Sequence, residues 1–413
     1  MQNTPNQTST GDRTNTMRDP LLDSHSKTSS PQHETALAPQ AGGTQAILPR
    51  PIGLGPLITG SFFSQFPFSI SVAAAGNTFL ISTLLARMSA DTIACGVFIT
   101  SLQNLMVGVC RASLASNSLM IGIKNGEASA AKRNNDLVAE TDAYREIGRV
   151  LQQGWVFATL LSAGATGLLL LSENALKLVG VDKNIARMTQ AYFRGYVIGI
   201  WPLLHSFADQ QLSVGTKDPW LPAVRGVAYG CAVYGFSLMA TEGYLGESYT
   251  GIEGIGFGSA LAAWAIFLFT KLTHLHPSIR KYELYQCQST ITQAKKHFTR
   301  MCSIGLKLGI QVAAEWINLV GMSLLIGQMP EENAIAAQPS FQILTMLALF
   351  SLGQAVCIGA VVSHEIGVLS SSERQYHGTL DTNIKRKGYG GIALGLVVPL
   401  AVSITGFIKP TLF

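Results

Sequence analysis

Charge is what this chain is short of. Asp, Glu, Lys and Arg make up 13% of its 413 residues, against roughly 25% in soluble domains. That shortage excludes an ordinary solvated enzyme surface and a nucleic-acid-binding face. The 47% of hydrophobic residues excludes a chain disordered throughout. Cysteine is sparse too. Cys95, Cys110, Cys231, Cys287, Cys302 and Cys357 form no C-x-x-C and no Cys/His cluster, so buried free thiols are expected, with no metal site or disulfide framework. A Walker phosphate loop and H-E-x-x-H are both missing from the sequence, and no Ser–His–Asp arrangement can be placed, so no catalytic residue and no bound cofactor are expected.

What fills the space is long apolar runs. No Asp, Glu, Lys, Arg or His occurs from Pro51 to Ala86, and similar runs recur to Ile408. A helix needs about 20 such residues to cross a bilayer. Continuous rather than alternating apolarity excludes a β-barrel. The reading is an all-α polytopic membrane protein with about nine spanning helices, centred near 67, 106, 161, 202, 231, 263, 314, 349 and 398. Pro56, Pro67, Pro202, Pro339 and Pro399 are candidate kinks. Residues 1–50 are polar and read as a disordered tail.

Placement of Lys and Arg sets the orientation. With the N-terminus cytoplasmic, the inner segments hold 22 of these side chains and the outer ones 5. The alternation holds loop by loop, so a plasma membrane or bacterial inner membrane with a cytoplasmic N-terminus is expected.

The tracts Val72–Asn77 and Leu84–Met88 resemble Val312–Asn318 and Leu324–Met329, and Asp91–Cys95 resembles Asn333–Ala337. The offset is 240–242 residues and sets Asn77 opposite Asn318. It spans six helices, an even number, which predicts a parallel repeat of two lobes about an axis along the membrane normal. The expected organisation is a 1–50 tail, a six-helix N-lobe over 51–275, a cytoplasmic linker over 276–300, and a three-helix partial C-lobe over 301–413. Repeats of this kind place substrate between the lobes and give alternating access, which points to a transporter.

Ionisable groups within apolar segments mark pathways, pairs or cavities. Glu315, followed by Trp316 and one turn from Asn318, is the sharpest case. A desolvated carboxylate there would take up a proton near neutral pH, or attract a metal ion or an organic cation, for which Trp316 offers an aromatic face. A structural ion pair is the plainer reading. His205 and Asp209 share a helix face, followed by Gln210 and Gln211; a proton relay and an ordinary solvated pair are both open. Arg111 is the obvious counter-ion for a carboxylate. The run Gly254–Gly258 reads as close helix packing rather than a phosphate loop.

From about Pro51 to Phe413 these residues resemble the multidrug and toxic compound extrusion (MATE) family. The resemblance is carried by Pro56, Asn77 and Leu85–Asp91, by Tyr192–Arg194, Pro202 and Gln211–Pro219, by Gly251–Ala262, and by Ala314–Trp316. It implies a secondary antiporter that exports small amphipathic organic cations against H+ or Na+, built from twelve helices in two lobes. Glu315 matches the family's seventh-helix carboxylate, and Asn77 stands where many members carry aspartate. With Asn318, Trp316, Asp209 and Gln211, these form the expected substrate- and cation-binding set. Nine helices in place of twelve imply an incomplete C-lobe, which a second chain would complete. Two other functions stay open: a transport-inactive homologue acting as a membrane scaffold, and a flippase for lipid-linked oligosaccharides.

Overall fold

The computed structural model describes residues 81–371, except 82, 86–87, 89, 219, 247–249, 286–290, 328 and 330, together with 385 and 388–393. The tail, the helix expected near 67, most of that expected near 398, Asn77, Cys287, Pro56, Pro67 and Pro399 lie outside the described residues. Among the described residues every regular element is helical.

Helix α1 spans Ala90–Arg133. Its 44 residues reach about 66 Å at 1.5 Å per residue, more than twice the hydrocarbon thickness. It stops at Asn135, whose φ of 55° is a conformation asparagine tolerates. The next residue starts α2, Leu137–Leu170: the Asp136 carboxylate accepts from the Ala139 amide at 3.0 Å, satisfying a donor that the first helical turn leaves open. Two short helices follow, α3 over Ser172–Leu178 and α4 over Lys183–Tyr196. Asp182 caps α4 by accepting from the amides of Asn184 and Ile185.

Between α4 and α5 (Ile200–Gly215) the chain tightens into one 3-10 turn, Val197–Gly199. Pro202, three residues on, has no amide hydrogen to return to the Ile198 carbonyl, so the expected kink at Pro202 takes the form of this break. No corresponding break is seen at Pro339. Helices α6 (Trp220–Thr241), α7 (Ile252–Thr273), α8 (Pro277–Arg280), α9 (Ile291–Gly327) and α10 (Glu331–Ser370) complete the described elements. Among the described residues, six helices are long and apolar enough to cross a membrane.

Lipid chains are as apolar as leucine, so close packing rather than water exclusion holds such helices together. At Gly256 of α7 an added Cβ would collide with the Tyr192 carbonyl of α4, and at Gly258 it would lie 2.5 Å from Ser237 Cα of α6. The packing role expected of the Gly254–Gly258 run is what these crossings use. One core joins α1, α2 and α4–α7 around Tyr192, Phe193, Tyr196, Phe207 and Tyr229. A second joins α1, α9 and α10 around Ala112, Val312, Trp316, Phe341 and Val356. Helix α1 belongs to both.

The repeat is visible in the backbone. Helices α1 and α10 begin 241 positions apart, at Ala90 and Glu331. The turn bond Met88 N–H to Leu85 O, 3.1 Å, recurs 241 positions on as Met329 N–H to Ile326 O, also 3.1 Å. Where α1 and α10 cross, a Cβ on Gly126 would strike the His364 carbonyl, and a Cβ on Gly367 would strike the Ile123 carbonyl. Each glycine and each carbonyl is the other's counterpart at that same offset.

Candidate functional site

Helices α9 and α10 both pack extensively on α1 but barely touch one another. The gap between them is a cavity of about 470 Å³, within the size range of small-molecule sites. Its walls are apolar: Ala112 and Ala115 of α1, Val312 and Leu319 of α9, Leu352 and Val356 of α10. Gln311, Ser351 and Glu315 supply the polar lining, and Glu315 is the ionisable group among the lining residues. Positions 308, 312, 315 and 319 recur at helical spacing, which is why one face of α9 carries both the apolar wall and the carboxylate.

Within the cavity, the sequence expectations separate. Trp316 is buried and lines the wall, its Nε1 3.5 Å from the position of a Cβ on Gly108. Glu315 lines the same cavity yet is exposed. Its sequence neighbours are apolar, and the side chain lines the gap left where α9 and α10 diverge. Asn318 is exposed and does not line the cavity.

Asp209 lies in a different place. On α5, His205 and Asp209 do share a face, and they meet Thr159 and Trp155, an equally spaced pair on α2. Thr159 Oγ1 lies 2.9 Å from His205 Nε2, and Trp155 Nε1 donates to Asp209 Oδ1 at 2.6 Å. Lys271 Nζ is 2.9 Å from Asp209 Oδ2 and sits 4.0 Å over the Trp155 ring; His274 Nε2 is 3.5 Å from Asp209 Oδ1. The Asp209 side chain is fully buried, so the solvated-pair reading is set aside. Tyr285 closes the cluster, its hydroxyl 3.1 Å from His274 Nδ1 and its ring stacked on Trp155 at 5.9 Å. Burial holds His274 below its ordinary pKa, while Asp209 pulls the other way and Lys271 and Arg225 assist burial. Burial first, then Asp209, raises Tyr285.

Gln211, adjacent to this cluster in sequence, is fully buried and neither atom of its amide has a hydrogen-bond partner among the described residues. Arg111 donates to Gln210 Oε1 at 3.1 Å and lies 4.3 Å over the Phe207 ring. Of the expected set, Glu315 and Trp316 line the cavity, Asp209 centres the separate cluster, Asn318 and Gln211 belong to neither, and Asn77 is outside the described residues. Sequence reasoning missed Trp155, Lys271, His274 and Tyr285. A usable signal was the matched i, i+4 spacing of Trp155/Thr159 and His205/Asp209, with Lys271 and His274 one turn apart at the end of an apolar run.

No protein-family model matches the chain. Its sequence is 22% identical over 342 residues to a probable multidrug resistance protein NorM of Synechococcus sp., covering 80% of this chain and 67% of that protein. The structure superposes on the eukaryotic MATE transporter AtDTX14 with a TM-score of 0.67 at 12% identity, covering 86% of this chain and 74% of AtDTX14. The fold is that of the MATE transporters. A MATE protein in complex with Br-NRF matches with a TM-score of 0.56 at 12% identity, over 84% of this chain and 76% of that one. The MATE fold makes the chain an all-α, multi-pass membrane protein, and α1, α9 and α10 are the elements that enclose its cavity.

Proposed function

We propose that the chain is a MATE-type secondary transporter that exports small amphipathic organic cations in exchange for H+ or Na+, with substrate held in the cavity between α1, α9 and α10. The observation that carries this reading is Glu315, an ionisable group on an otherwise largely apolar wall. A single negative charge beside apolar surface favours a cation that also carries an apolar body. Trp316, in the same wall, adds an aromatic surface. Glu315 would hold either the coupling ion or the substrate, and competition between the two for one carboxylate is the simplest route to exchange. Charge placement along the sequence supports a cytoplasmic N-terminus and linker. The MATE complex with Br-NRF supports a small organic ligand for this fold.

The test is accumulation of a fluorescent cationic dye in cells expressing the chain. Lower, gradient-dependent accumulation that disappears in Glu315→Gln is expected. Unchanged accumulation with well-inserted protein contradicts the reading, and a phenotype that survives Glu315→Gln without gradient-linked flux identifies a scaffold.

A further inference from the structure

At one end of the α1–α10 crossing, the groups that join the two helices are polar and few. Lys217, in the turn after α5, has its Nζ 2.9 Å from His364 Nδ1 and 3.8 Å from Glu365 Oε1 of α10. Lysine only donates, so Nδ1 accepts and Nε2 carries the ring proton toward Ser129 Oγ of α1, 3.4 Å away. His364 therefore ties α10 both to α1 and to the α5–α6 turn. It is buried, whereas Lys217 is about a third exposed. Lys217 has a φ of 65°, a left-handed conformation that costs a lysine more than a glycine or asparagine. The turn bonds Lys217 N–H to Val214 O and Asp218 N–H to Ser213 O close the end of α5 around this residue.

Directly beside this cluster lie Gly126 and Gly367, whose backbones meet too closely for any side chain. The two backbones therefore pack directly on one another here, with few side chains between them. Elsewhere along α1 the contact with α9 and α10 combines packed apolar side chains with close approaches at Gly122, Gly305 and Gly309. The basic residues Lys124, Lys132 and Arg133 of α1 lie at this same end.

We infer that Lys217 and His364 form a lock between the two lobes, closed in this structure, which opens once in every transport cycle at the seam beside Gly126 and Gly367. The inference rests on the transport reading for its cycle and assigns these two residues a positioning role; neither lines the cavity.

Ser363 provides the reporter. It is buried on α10, and its Cβ lies 3.1 Å from where a Cβ on Gly122 would stand. A Ser363→Cys chain in proteoliposomes is labelled with a water-soluble maleimide, the parent chain with its native cysteines serving as blank. Adding Lys217→Met is expected to raise the labelling rate about fivefold, the factor that one ordinary hydrogen bond contributes. His364→Ala is expected to do the same, the two together no more than either alone, and Lys217→Arg to retain slow labelling. Dye efflux in Lys217→Met changes in kcat with apparent KM unaltered. A labelling rate indifferent to Lys217→Met and His364→Ala overturns the lock. Labelling needs no transport: a chain that moves dye with unchanged labelling sinks the lock alone. A chain that moves no dye but shows the labelling rise sinks the transport reading and leaves Lys217 and His364 as a tie that limits opening between α10 and the α5–α6 turn.

Discussion

Asp209 shows how far a single residue's role depends on neighbours that its sequence does not announce. Its four-residue spacing from His205 was legible and correctly set both on one face. Its burial was not, because Trp155, Lys271 and His274 come from α2 and from the end of α7 and beyond, 54 to 65 positions away in the chain. Removing one partner from a buried charged pair leaves the other uncompensated. Asp209→Ala is therefore expected to cost about 3–5 kcal/mol, read as a lower unfolding midpoint in detergent. Lys271→Met, which removes a partly exposed partner, costs less. His274 gives a pH signature. Its folded pKa lies below the unfolded value of about 6.5, so the unfolded chain takes up the proton first. Its contribution to stability is full above that value and is lost as pH falls through it toward the folded pKa. The unfolding temperature should fall between pH 7 and pH 5, and His274→Gln should flatten that slope; an equal slope in the variant contradicts the assignment.

At the scale of elements, a repeat read from two short Leu- and Ala-rich tracts reappears as helix starts, a shared turn bond and a mirrored pair of glycine contacts, all at 241 positions. That much was legible because a repeat leaves the same local pattern twice. The break before α5 was legible too, since Pro202 lacks a donor whatever surrounds it. Which helix becomes central was not: α1 differs from the other apolar segments chiefly in what packs on it. The α4–α7 crossing depends on Gly256, where a methyl group meets the Tyr192 carbonyl. Gly256→Ala is expected to cost about 1–3 kcal/mol, the usual range for overpacking, measured by denaturation in detergent. Gly164, around which an added Cβ meets nothing, is the control, and Gly164→Ala is expected to leave stability unchanged or slightly raised.

For the whole molecule, α1 joins two bodies of helices, and the cavity opens where α9 and α10 part company upon it. Glu315 was picked out from sequence as an acid inside an apolar run, and that position holds. Its place in a cavity wall follows from the divergence of two helices, a feature of the assembly rather than of α9. The account assigns one negative charge and an apolar wall to substrate recognition, which makes binding of a cation to the isolated protein its most direct consequence. The deciding measurement is equilibrium binding of ethidium to the purified chain in detergent, by fluorescence, for the parent protein, Glu315→Gln and Glu315→Asp. The account predicts saturable binding, weakened about tenfold or more in Glu315→Gln, a loss near 1.4 kcal/mol, and largely kept in Glu315→Asp. Equal affinity in the parent and in Glu315→Gln, with both correctly folded, would contradict it.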